Sequence, residues 1–165
     1  MAVVNEITST LPKEFPQNSI SETGLEERVC QKLVSVAAAD DDNSIYVLGV
    51  LPAEAILTDL VIDTPGITGA TDYNIGIYDV DGTEYDDNEF ADALDLSSDA
   101  VLDGMAGHAH ANRLKPFWEL AGHVNKALPA VGETQKKAQY VIAAKGVTVG
   151  TAAGSFTSTI RYGTQ

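Results

Sequence analysis

Ile56-Leu-Thr-Asp-Leu-Val-Ile-Asp63, ILTDLVID, is the stretch on which the fold class turns. Ile56, Thr58, Leu60 and Ile62 alternate with Leu57, Asp59, Val61 and Asp63. Side chains of a strand point to opposite faces with period two, so this segment has one apolar face and one half-polar face. It reads as a strand buried on one side. Near the C-terminus, SFTSTIRY repeats the design, with Phe156, Ser158, Ile160 and Tyr162 set against Ser155, Thr157, Thr159 and Arg161.

Similar short runs, rich in Val, Ile, Tyr and Thr and separated by Asp, Gly, Asn and Pro clusters, predict strands over 28–38, 44–50, 55–63, 72–80, 139–144 and 154–162, with shorter pieces at 83–85 and 100–102. The pattern is that of an all-β chain, an antiparallel β-sandwich. One amphipathic helix is predicted within RLKPFWELAGHVNKAL (113–128): Pro116 suits a first turn, and Phe117, Leu120, Ala121, Val124 and Leu128 recur at helical spacing until Pro129. Gly122 could end it after two turns. The opening MAVVNEITSTLPKEFPQNSISETG has two prolines and no sustained period, which predicts an extended N-terminal arm over 1–24 and a sandwich domain over 25–165.

A chain of 165 residues with 44% hydrophobic content suffices for a single core. Twenty-four acids against ten Lys and Arg give a formal charge of -14. That field repels phosphate backbones and anionic lipid heads, so neither nucleic acid nor membrane is an expected partner. The charge serves solubility or meets a basic surface. No basic-then-apolar leader and no long apolar run is present, which predicts a protein kept in the cytosol unless something larger carries it. Cys30, the one cysteine, lies in the apolar alternation RVCQKLVSVAAA and is expected to be a buried thiol.

DVDGTEYDDNE (79–89) holds six carboxylates around Gly82. An EF-hand register with Gly82 sixth places Ile77 first, where an oxygen ligand is needed, and flanks the loop with strands. A β-hairpin fits better, with Asp81-Gly82 forming a type I′ turn and the acids pointing into water. A looser calcium site from Asp79, Asp81, Glu84 and Asp86, joined by Asp87 and Glu89, is the alternative. GHAHANR spaces His108 and His110 as a strand could present them to zinc, although the surrounding glycines favour an exposed loop, and His123 is expected on the helix surface. G-x-S-x-G is missing, the glycine runs lack a phosphate-loop lysine, and Cys30 has no neighbouring histidine, so neither an enzyme nor a cofactor is expected. Trp118 and Tyr78 could be sugar platforms, but Trp118 beside Phe117 reads as core.

Taken together, MAVVN, VAAADDDNSIYVLGVLPAEAILTDLVID, GITGATDYNIGIYDVDG, FADALDLSS, KPFWELAG and AAGSFTSTIRY resemble the capsid decoration or cement proteins of tailed bacteriophages, over nearly the full chain. The resemblance implies a jelly-roll sandwich on the virion surface, assembled in the host cytoplasm. It would bind the major capsid protein as a dimer or trimer, bridge subunits and stabilise the shell. NKALPAVGETQKKAQYVIAAK stands where the family pattern has a shorter exit from the helix, and the strong acidity is not part of that pattern. Leu11, Phe15 and Ile20 would be apolar anchors by which the arm holds a neighbouring subunit. The alternatives are a carbohydrate- or calcium-binding β-sandwich module and another head- or tail-attached structural protein.

Overall fold

Alternating runs of this kind cannot bury their apolar faces singly, so they pair into sheets and the sheets stack. The computed structural model describes residues 26–164. Its strands are β1 (Glu26–Val36), β2 (Ser44–Pro52), β3 (Ala55–Pro65), β4 (Asp72–Tyr78), β5 (Glu84–Leu94), β6 (Asp99–Asp103), β7 (His123–Val124), β8 (Thr134–Gln135), β9 (Gln139–Thr148) and β10 (Gly154–Thr164). Two antiparallel four-stranded sheets form, β1-β10-β3-β6 and β2-β9-β4-β5. Crossing between the sheets in this order is the winding of a jelly roll. The predicted arm anchors Leu11, Phe15 and Ile20 lie outside the described residues.

Between the sheets, Leu60, Ile62, Phe156 and Ile160 meet Tyr46, Leu48, Tyr73, Ile75, Tyr140 and Ile142, all essentially inaccessible to solvent. Tyr46 and Tyr73 stack with centroids 6.3 Å apart, and Tyr73 meets Phe156 edge-on at 6.1 Å. The hydroxyls of this pair are satisfied: Tyr73 donates to the Val149 carbonyl at 3.1 Å and Tyr46 to Asp40 Oδ2 at 2.9 Å. Burial raises the pKa of both phenols.

The ILTDLVID alternation holds from Leu60 onward, with Leu60, Ile62 and Thr64 inward and Asp59, Val61 and Asp63 outward. It breaks at Thr58, which is exposed while Leu57 is buried. Arg161 pairs with Asp59 and Tyr162 with Leu57, so Thr58 is an extra residue on β3 that reverses the facing. On β1, Val34 and Val36 face the core, Cys30 is only half-buried, and Val29 and Leu33 point outward. Partial burial is enough to push the Cys30 thiol pKa up.

β5 is the largest departure from the predicted strands. Its sequence, EYDDNEFADAL, reads as an acidic loop, yet it forms an eleven-residue strand. The register pairs Ile75 with Ala91 and Ile77 with Asp86, so residues 87–90 lie against Gly76 alone. A Cβ on Gly76 would sit 2.0 Å from the Asp86 carbonyl oxygen and 2.5 Å from Asp87 Cα. Ile75 and Ile77 face the core, so Gly76 faces outward, and the β5 backbone crosses over the outer side of β4 at that point. Asn74 Oδ1 accepts from the Ala93 N–H at 3.1 Å, bracing Ala93 at φ 51°.

The predicted helix shrinks to one turn, α1 (Phe117–Leu120). Gly122 adopts φ 73° and ends it, so the spacing of Val124 and Leu128 is not helical spacing in the fold. α1 belongs to the excursion between β6 and β9, which also holds a 3-10 turn at His110–Asn112 and the parallel pair β7-β8. Phe117 is fully buried, 6.0 Å from Phe90, so the excursion caps one end of the sandwich.

Candidate functional site

The acidic hairpin between β4 and β5 differs from the predicted turn. Asp79 C=O accepts from the Gly82 N–H at 3.0 Å, Asp79 N–H donates to the Thr83 carbonyl at 2.7 Å, and Gly82 alone takes positive φ, at 91°. A type I′ turn needs positive φ at both central residues. This is instead a type I turn closed by a glycine bulge, with Val80, Asp81 and Gly82 as the loop.

The acids of the hairpin are divided among several partners. Asp79 is buried rather than solvated: Oδ1 accepts from the Val80 N–H at 2.6 Å, Oδ2 from the Tyr85 hydroxyl at 2.9 Å, and Lys137 Nζ lies 3.4 Å away. Asp81 accepts from the Thr83 N–H at 2.9 Å, which lowers its carboxyl pKa. Asp86 accepts from the Asn88 N–H at 3.1 Å. Glu84 and Asp87 share Lys145, at 3.0 and 2.8 Å, and Glu89 accepts from Asn112 and meets His108. Among the described residues, no three His, Cys, Asp or Glu side chains stand where one metal ion could hold them together. Asp79, Asp81, Glu84 and Asp86 are thus dispersed along the hairpin.

The histidines part company as well. His108 is buried with Nδ1 3.0 Å from Glu89 Oε1, whereas His110 is exposed, so the structure does not present them as a pair. His123 is on β7 and buried, against the expectation of a helix surface. Its Nδ1 lies 2.6 Å from the Tyr140 hydroxyl, which accepts from the Lys137 N–H at 3.0 Å. The phenol is then free to donate to an unprotonated Nδ1. Burial, followed by the nearby Lys137 charge, lowers the His123 pKa, with Asp79 opposing.

Beside this group runs an open groove of about 750 Å³ lined by Asp79, Tyr85, His123, Gln135, Lys136 and Lys137. Tyr85 meets His123 edge-on at 4.9 Å and lies 5.9 Å from Tyr140. Glu54 accepts from Trp118 Nε1 at 3.0 Å and pairs with Lys136, which lowers its pKa. These contacts fasten the excursion to the sheets. Trp118 packs partly buried against the core and Tyr78 is wholly buried, so neither offers a free ring to a sugar.

The outer faces complete the surface. Away from the core, the β2-β9-β4-β5 sheet carries Val47, Tyr78, Val141 and Ala143, each 5% exposed or less. Lys145, on the same face, reaches to Glu84 and Asp87 of the crossing β5 strand. On the opposite sheet no described residue gives such cover: Val29, Leu33 and Val101 are 57%, 65% and 71% exposed. Register places Leu33, Thr157, Asp63 and Val101 in one row across β1, β10, β3 and β6. The adjoining row includes Ser35, Ser155, Pro65 and Asp99. Between these rows is a hollow of about 290 Å³ walled by Leu33, Pro65, Asp63, Asp99, Ser155 and Thr157. Outward-facing residues of these four strands alternate apolar, hydroxyl and acidic groups. No sequence motif marks the hollow, because its walls come from four strands far apart in the chain.

No family model and no curated protein matches the chain. Among solved structures, a chain in the capsid of Ralstonia phage GP4 aligns with a TM-score of 0.58 at 15% identity, covering 100% of this chain and 98% of that one. A chain in the capsid asymmetric unit of cyanophage Pam1 aligns at a lower TM-score of 0.45 with 16% identity, over 95% of this chain and 99% of that one. At such identity the GP4 match establishes a shared fold, the jelly-roll sandwich.

Proposed function

We infer that this is a structural protein of a phage virion, one that decorates the outside of an icosahedral head and stabilises the shell by bridging major capsid subunits. The observation that carries the reading is the end-to-end alignment with a chain of the GP4 capsid, 100% of one and 98% of the other. Two features support it. The polar groups of the hairpin and groove are spent on holding the excursion and β5 in place, as a clamp requires. The bare outer face of the β1-β10-β3-β6 sheet is an unoccupied surface for a neighbour. Weak contacts repeated on a lattice raise retention well above one contact's affinity. A dimer or trimer, held in part by the arm anchors Leu11, Phe15 and Ile20, would multiply that effect.

Quantitative co-sedimentation with heads that lack this protein tests the reading. Saturation at a fixed ratio to the major capsid subunit supports decoration, a handful of copies per particle indicates a fibre or tail-attached part, and no binding at any ratio overturns the assignment. Removing residues 1–24 is expected to weaken binding, and retention at the full-length level would refute the arm mechanism.

A further inference from the structure

We propose that the hollow on the outer face of the β1-β10-β3-β6 sheet is a socket for a lysine or arginine side chain of the partner protein, under the capsid-binding reading a shell subunit. The walls supply both halves of what such a side chain needs. Leu33, 65% exposed, and Pro65 offer apolar surface to an aliphatic stem. Asp63 and Asp99 offer two carboxylates to its cationic head, and neither has an ion-pair or hydrogen-bond partner among the described residues. Ser155 and Thr157 add hydroxyls along the wall, able to accept from the remaining N–H donors.

These two carboxylates differ from the other acids that line a concavity, Asp41 excepted. In the groove at the opposite sheet's hairpin, Asp79 is taken by Tyr85 and Lys137, and at the β1–β2 turn Asp40 is taken by Tyr46 and Asp42 by the Val149 N–H. At the socket, among the described residues, the acids are free and the charge is one-sided. The nearest cation on the face, Arg161, already lies 3.7 Å from Asp59 and 4.0 Å from Glu27. Val101, 71% exposed, continues the apolar row past Asp63, so a complementary partner surface has a basic residue flanked by apolar ones. Charge pairing of this kind orients the encounter, and the stem contact holds it.

The test uses full-length protein and heads lacking it. Asp63→Asn with Asp99→Asn is expected to raise the concentration for half-saturation about tenfold or more and to flatten its salt dependence. Asp92→Asn with Glu119→Gln, an equal charge change at exposed sites elsewhere, is expected to leave both unchanged. Unaltered melting shows that each variant folds. If wild-type protein binds heads and the D63N/D99N protein binds equally well, the socket is refuted and the capsid reading stands. If wild-type protein fails to bind heads, the capsid reading falls, and the socket is judged by titration with acetyl-arginine amide and acetyl-lysine amide. Shifts confined to the Leu33 and Val101 methyl resonances, and lost in D63N/D99N, support it. Uniform or absent shifts overturn it.

Discussion

On the β2-β9-β4-β5 side of the sandwich, Val141 and Ala143 point away from the core and are wholly buried. On the β1-β10-β3-β6 side, Leu33 and Val101 also point away from the core, yet are 65% and 71% exposed. Chemically the positions are alike. The difference lies in the chain around them: residues 87–90 of β5 cross over β4 at Gly76, the register partner of Ala143, and Glu84 and Asp87 of β5 reach Lys145. One outer face therefore belongs to the stability of the folded chain, and the other is left to what the chain meets. Substitutions of the same kind on the two faces should separate folding from binding.

The largest effect is expected at the crossing. Gly76→Ala places a Cβ 2.0 Å from a backbone oxygen, and backbone on both sides must shift to admit it. A loss beyond about 4 kcal/mol in chemical denaturation, or failure to fold, is expected. Gly132→Ala is the control. Gly132 has φ 86° and no atom within 4 Å of an added Cβ, so it isolates the cost of the left-handed conformation, about 1–2 kcal/mol. Equal losses at both positions would show that the crossing is not a close contact.

A matched pair of charges follows. Val141→Asp buries a carboxylate on a fully covered site and is expected to destabilise by about 3 kcal/mol. Leu33→Asp, on the bare face, is expected to change stability by no more than about 0.5 kcal/mol while impairing head binding through the added negative charge and lost stem contact. Destabilisation by Leu33→Asp comparable with Val141→Asp would erase the distinction between the faces. Lys145→Met is expected to be milder, about 1 kcal/mol and reduced by salt, since it removes a partly exposed ion pair.

The sandwich was legible from alternation in β3 and β10 because those strands each have one face against the core and one toward solvent, the condition under which period two survives. β5 is legible only at its start, where the short piece predicted at 83–85 meets Glu84 and Tyr85, for the opposite reason. Its acids are used on an overlay with Lys145 and Asn112 rather than on an exposed strand face, and only Phe90 and Ala91 mark the core. The helix was overread because Gly122, in left-handed conformation, redirects the chain after a single turn. Asp79 was placed in water because its acidic neighbours suggested a solvated loop, whereas its ligand, Tyr85, lies six residues on and becomes adjacent only when the hairpin closes. The socket had no local signal at all.

The smallest effect concerns pH and again divides the molecule. His123 is buried against Tyr140 of β9 at the hairpin end, and its folded pKa lies below the ordinary 6.5. Between those two values the unfolded chain binds a proton that the folded chain does not, so a falling pH favours unfolding. This contribution to stability is complete above 6.5 and is lost as pH falls through that value toward the folded pKa. The groups facing it are Tyr85, Tyr140, Asp79 and Lys137. Carboxylates held low by partners, such as Glu54 beside Lys136, begin to lose their contribution only in the more acidic carboxylate range. Melting temperature is therefore expected to drop modestly between about pH 7.5 and pH 5.5 in wild-type protein, and the drop to shrink in His123→Gln. An equal drop in the variant would assign it elsewhere. Asp63 and Asp99 lie on the other face. Head binding measured over the same range, below the melting transition, should hold steady while stability declines, because the titrating group and the proposed socket belong to different sheets.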